Sequence, residues 1–287
     1  LARPATGAQF ASLIDPAKPP MPTTPTLRSR LPNTGTTIFT VMSQLAAQHG
    51  AVNLGQGFPD FDCDPHLQAL VTEAMRRGHN QYALMPGVMA LREAIAAKTG
   101  ALYARDYDPD GEITVTAGAT QAIMAAILAV VHPGDEVIAL EPCYDSYIPG
   151  VRLAGGVPVL VPLDAGDYAV PWNTLRAAIT SRTRLILLNS PHNPSGAVFS
   201  AADLDALEAM VRGTDILLLA DEVYEHIIFD GQPHQSLARR PALAERAFVI
   251  SSFGKTFHAT GWKIGYCCAP RDLTTELRKV HQFMVFA

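Results

Sequence analysis

Seven short aliphatic runs, separated by segments with helical spacing, occupy the chain from about Gly111 onward. They cover residues 113–116, 136–140, 157–161, 185–189, 216–220, 248–251 and 264–268. Several are apolar throughout, as strands buried on both faces must be, and such strands belong to a mainly parallel sheet covered by helices. The spacing predicts helices over residues 65–77, 87–100, 119–131, 200–212 and 271–283, with Asp64 and Pro65 as N-cap and first helical residue of the earliest. The class is α/β, with a mainly parallel seven-stranded sheet flanked by helices. Before Gly111 a helix is expected over residues 36–48, then a Gly-Pro loop over 55–59.

The 287 residues are 48% hydrophobic and 17% charged, a composition that can bury a large core. A net charge of −5, with no run of Lys or Arg longer than two, argues against nucleic acid or an anionic membrane as partner. Cys63, Cys143, Cys267 and Cys268 form no CxxC pair and no zinc-ligand spacing, so no metal is expected and a reducing cytoplasm fits. The most apolar stretch, residues 122–131, is far short of the ~20 residues of a membrane helix. Prolines 4, 16, 19, 20, 22 and 25 break up the first thirty residues, which read as an extended arm rather than a secretory signal.

Ligands of open α/β sheets bind beyond the carboxyl ends of the strands. The segments standing there are Thr116-Ala117-Gly118-Ala119-Thr120, residues 189–196, Asp221-Glu222-Val223-Tyr224 and Ser251-Ser252-Phe253-Gly254-Lys255-Thr256. Gly254-Lys255-Thr256 imitates the end of a phosphate-binding P-loop, but that loop needs a glycine where Val249 stands. No G-x-G-x-x-G supports a nicotinamide site either. A lysine in this setting suits imine chemistry with a carbonyl cofactor, which requires surroundings that free its amine.

Residues 251–266 resemble the Schiff-base segment of class I aminotransferases, which are fold-type I pyridoxal-5′-phosphate (PLP) enzymes. Residues 189–196, 219–224 and 54–61 agree in order and spacing, as do Asn80-Gln81-Tyr82 and residues 141–147, so the resemblance runs from about Leu31 to the end. The wording of residues 56–61 and 141–147 most resembles the branch containing methionine and kynurenine (glutamine) aminotransferases.

The resemblance implies a role for each matching residue. Lys255 would hold PLP and then serve as general base, and Asp221 would keep the pyridine nitrogen protonated. Asn193 and Tyr224 would donate to the phenolic oxygen, and Tyr144 would stack on the ring. Ala119, Thr120, Ser252 and Lys263 would bind the phosphate, with Lys263 standing where many relatives carry arginine. Tyr82 would reach the phosphate of a neighbouring subunit, making the active site a homodimer property. Gly57 and Asn193 would approach the substrate carboxylate, and Phe39 or Ile38 would line the side-chain pocket.

After the proline-rich arm (residues 1–30), the same resemblance implies an N-terminal part of a small domain (31–59) and a large PLP-binding domain (60–287). The rest of the small domain, with an arginine that clamps the substrate carboxylate, would lie beyond Ala287. The implied activity is transfer of the amino group of methionine, or another large apolar or aromatic amino acid, to a 2-oxo acid by a ping-pong mechanism. A PLP-dependent C–S β-lyase and a catalytically weak PLP-binding regulatory domain are the alternatives.

Overall fold

The computed structural model describes residues 26–57 and 61–287. Most of the proline-rich arm, and Phe58, Pro59 and Asp60 of the expected Gly-Pro loop, lie outside them. The chain divides into two units, Leu1–Pro32 and Asn33–Ala287, and every described helix and strand belongs to the second.

Three helices come first: α1 (Ile38–Gln48), α2 (Pro65–Arg76) and α3 (Met89–Tyr103). Thr37 caps α1 by accepting from the Thr40 amide, and Asp64 caps α2 by accepting from His66, ahead of Pro65 at the first helical position. Neither α1 nor α2 buries a residue. Helix α3 runs past Gly100, where the spacing suggested an end, because Tyr103 is buried and Ala104 takes the left-handed terminating conformation.

The remaining chain builds a seven-stranded sheet from β1 (Ile113–Thr116), β2 (Glu136–Glu141), β3 (Val157–Pro162), β4 (Thr183–Asn189), β5 (Leu217–Asp221), β6 (Ala247–Ser252) and β7 (Gly265–Cys268). Their order across the sheet is β1-β7-β6-β5-β4-β2-β3. The pairs β2–β3, β2–β4, β4–β5 and β5–β6 are parallel, and β7 runs antiparallel to both its neighbours. The central strands are buried almost residue by residue, which explains their unbroken apolar runs.

One face of the sheet is covered by α4 (Ala119–Val130), α5 (Tyr147–Leu153) and α10 (Arg271–Val285), whose apolar residues cluster with Leu187, Leu219 and Phe248. The other is covered by α3 and α7 (Ala201–Val211), packed on Ile138, Ile186 and Leu218. Ser200 closes a capping box with Asp203 at the start of α7. Helices α5, α6 (Trp172–Ala177), α8 (Pro241–Ala244) and α9 (Phe253–Thr256) were not anticipated, since none is long enough to show a 3.6-residue period. Among the described residues no helix is long and apolar enough to cross a membrane, and no His, Cys, Asp and Glu group could hold a metal ion.

Candidate active site

The sheet register brings the chemistry to one edge. Asn189 pairs with Asp221 at the ends of β4 and β5, and Ser252 at the end of β6 lies opposite Gly265. Because β7 is antiparallel, Gly265 also pairs with Thr116 at the end of β1. The loops following β1, β4, β5 and β6, and the one preceding β7, therefore open on the same side. They enclose a cavity of about 650 Å³.

Asp221 forms the floor and is only 4% exposed. The Tyr147 hydroxyl donates to its Oδ2 at 2.6 Å, and the Val223 amide donates to Oδ1 at 3.3 Å. Burial raises the Asp221 pKa to about 6 against these two hydrogen bonds; Glu222 adds to the rise and Lys255 opposes it. Among the described residues no ion pair reaches this carboxylate. A buried acid in that condition calls for a cationic partner.

Asn189 ties the neighbouring loop to the floor. Its Nδ2 donates to the Asp221 carbonyl at 2.8 Å and its Oδ1 accepts from the Asn193 amide at 2.6 Å. Burial, then Asp221 and Tyr144, raise the pKa of the Tyr224 phenol, and the Asn193 side chain beside it works the other way. Tyr144 meets Tyr147 edge to face, with ring centroids 5.7 Å apart.

Lys255 sits on the single turn of α9, half-buried, with Nζ 5.5 Å from the Tyr224 ring centroid. Burial lowers its pKa, the Lys263 charge lowers it further, and Asp221 works the other way. Gly254 permits this placement, since a Cβ there would stand 3.0 Å from the Thr260 Cα.

The opposite corner is an anion cradle. The amides of Ala119, Thr120 and Gln121 open α4 and have no acceptor among the described residues. Gly118, with φ +80°, has no side chain to cap them. The Lys263 ammonium lies against it: a Cβ on Gly118 would come within 3.2 Å of Lys263 Nζ. Gly265 lets β7 pass underneath, because a Cβ there would fall 2.6 Å from the Ala119 nitrogen. Ser252 and Thr120 line the same wall.

Of the residues singled out from the sequence, Lys255, Asp221, Asn193, Tyr224, Tyr144, Ala119, Thr120, Ser252, Lys263, Gly57 and Phe39 all line the cavity. Ile38 does not; it is 61% exposed. Tyr82 is also outside, 81% exposed, its ring 4.9 Å from that of Phe286. Tyr147 and Asn189 were missed, although both stand in segments whose resemblance was noted. Strand-end position was the available signal for Asn189, whereas Tyr147 opens α5, and the partners of both are set by the sheet order.

The family model for "Aminotransferase class I and II" matches residues 49–287. The chain belongs to that family. Members of the aminotransferase family use PLP, and the residues present fit it: a buried acid with no ion pair, a lysine whose pKa burial lowers, and an uncapped helix N-terminus beside Lys263. The chain is 53% identical to a methionine aminotransferase of Escherichia coli (strain K12) over 260 residues, covering 91% of this chain and 67% of that protein. It superposes on an N-succinyldiaminopimelate aminotransferase from Mycobacterium tuberculosis with a TM-score of 0.87 and 46% identity, covering 91% and 69% of the two chains. It is 36% identical to a kynurenine–oxoglutarate transaminase of Dictyostelium discoideum, covering 88% of this chain and 62% of that protein. The chain thus spans about two thirds of the length of these aminotransferases.

Proposed function

We propose that the protein is a PLP-dependent aminotransferase that moves the amino group of methionine, or another large apolar or aromatic amino acid, to a 2-oxo acid in a ping-pong cycle. The observation that carries this reading is the opening of Lys255, the Asp221 carboxylate and the uncapped start of α4 into one cavity. When bound, PLP supplies an electron sink for the bonding electrons of the substrate's α-carbon.

The side chains divide the remaining work. Asp221 holds a proton on the pyridine nitrogen, and Tyr147 keeps its carboxylate aimed and ionised. Tyr224 and Asn193, which line the same cavity, would hold the cofactor's phenolic oxygen. The open amides of α4, with Lys263, Ser252 and Thr120, bind the phosphate and fix the ring. Lys255, whose pKa burial and the Lys263 charge lower, would take the proton from the substrate α-carbon at Nζ and hold it for return. Phe39 and Gly57 face the substrate from the α1 side. The exposed Tyr82 suits a homodimer in which each subunit completes the other's site. Four free thiols, three of them buried, suit a reducing cytoplasm.

Methionine supplied with a 2-oxo acid tests the reading: a new amino acid should form as the acceptor is consumed. Ammonia and pyruvate released from a cysteine conjugate without any acceptor would favour a C–S lyase. Preference for an N-succinylated diamino acid over methionine would overturn the substrate class.

A further inference from the structure

His281, in the last turns of α10, is 1% exposed and does not line the cavity, yet it connects to the anion cradle. Its Nε2 lies 3.1 Å from the Met85 carbonyl oxygen, and its Nδ1 lies 2.9 Å from Nε2 of Gln121. Gln121 Oε1 accepts from the Ala117 amide at 3.2 Å.

Only one polarity satisfies all three contacts. A carbonyl accepts, so His281 carries its proton on Nε2 and presents a bare Nδ1. The Ala117 N–H donates, so the Gln121 amide group must point its oxygen there and its nitrogen at the ring. The second Gln121 N–H faces the Met284 sulfur at 3.8 Å, leaving no group of that side chain idle. Burial, with Arg278 in support, holds the His281 pKa below the ordinary imidazole value against the pull of the Met85 carbonyl, so the ring stays neutral as the relay requires.

The relay grips the turn that makes the cradle. Inside that turn the Gly118 amide donates to the Thr116 carbonyl at 2.8 Å, and the Thr116 hydroxyl donates to the Gly118 carbonyl at 3.0 Å. With the Ala117 amide held by Gln121, both amides that lead into the cradle, those of Ala117 and Gly118, are satisfied. Ala119, Thr120 and Gln121 are the ones left open. Gln121 thus offers its backbone N–H to the cradle and uses its side chain to lock the residue four positions earlier.

We infer that His281 is a positioning residue which, through the Gln121 side chain, fixes the turn that presents these three amides to the phosphate of the cofactor. This rests on the PLP reading of the cavity. It predicts selectivity for the phosphate, since the relay touches no residue that meets the pyridine ring.

Equilibrium titration with PLP and with pyridoxal, the same aldehyde without a phosphate, tests it on the unaltered protein, Gln121→Met and His281→Phe. Gln121→Met keeps volume at a half-buried site and removes both polar ends, and His281→Phe keeps a ring without an acceptor. Both should weaken PLP binding about five- to tenfold, the value of one hydrogen bond, and leave pyridoxal binding unchanged. If PLP and pyridoxal weaken together, or neither weakens, His281 is a packing residue and the inference fails. Should His281→Phe not fold, Gln121→Met decides alone. An unaltered protein that binds neither aldehyde would refute the PLP reading itself, and this inference with it.

Discussion

Tyr147, the first residue of α5, donates a 2.6 Å hydrogen bond to Oδ2 of Asp221 at the end of β5. This contact lowers the pKa of an acid that burial pushes up to about 6. An acid whose pKa is higher in the folded chain than its usual 3.8 makes the fold most stable below that value, and stability falls as pH rises through about 6. For Asp221 alone the loss is about 3 kcal/mol in the cofactor-free protein. Tyr147→Phe should push the fall to higher pH and deepen it, whereas Asp221→Asn should abolish it. Urea midpoints of the three proteins between about pH 4 and pH 7 measure this directly.

Glu225 runs the other way. It is 5% exposed and accepts from Lys98 at 2.5 Å, Ser251 at 2.5 Å, Tyr266 at 3.1 Å and Tyr103. Burial pushes its pKa up, but the charge and hydrogen bond of Lys98, with those of Ser251 and Tyr103, hold it below the ordinary value. Its contribution is present above the usual 4.5 and is lost as pH falls below that. Glu225→Gln should destabilise the fold by about 3 kcal/mol at neutral pH, because Lys98 loses its counter-charge. Acid unfolding should also become shallower. A loss too small to resolve by urea unfolding would contradict this account of the network.

Gly265 is where β7 passes beneath the cradle, and the nearest atoms to an added Cβ are backbone: Ala119 nitrogen at 2.6 Å and Gly118 carbonyl carbon at 2.7 Å. Neither can give way without moving the start of α4. Gly265→Ala should cost about 1–3 kcal/mol of stability and weaken PLP binding more than pyridoxal binding. Thermal unfolding and the same pair of titrations check both parts.

What the sequence revealed follows from which interactions are local. The strands were legible because burial on both faces demands unbroken apolar runs such as Leu185 to Leu188. Lys255, Asp221 and Asn193 were legible because each follows a strand end, where ligands of such sheets bind, and because the neighbouring residues carry a family resemblance. Helices α5 and α6 left no period to read. The antiparallel course of β7, which brings Gly265 beside both Thr116 and Ser252, has no signature in its own four residues. Tyr147 and His281 were missed for the same physical reason. Tyr147 meets Asp221 only because β2, β4 and β5 are neighbours, and His281 meets Gln121 only because α10 packs on α4.

The most direct test of the central claim, that Lys255 holds PLP over Asp221, is an absorbance spectrum of the protein with PLP beside that of Lys255→Ala. The account predicts a visible band that needs Lys255 and bleaches when methionine is added without an acceptor. A band that persists in Lys255→Ala, or no band in the unaltered protein, would contradict it.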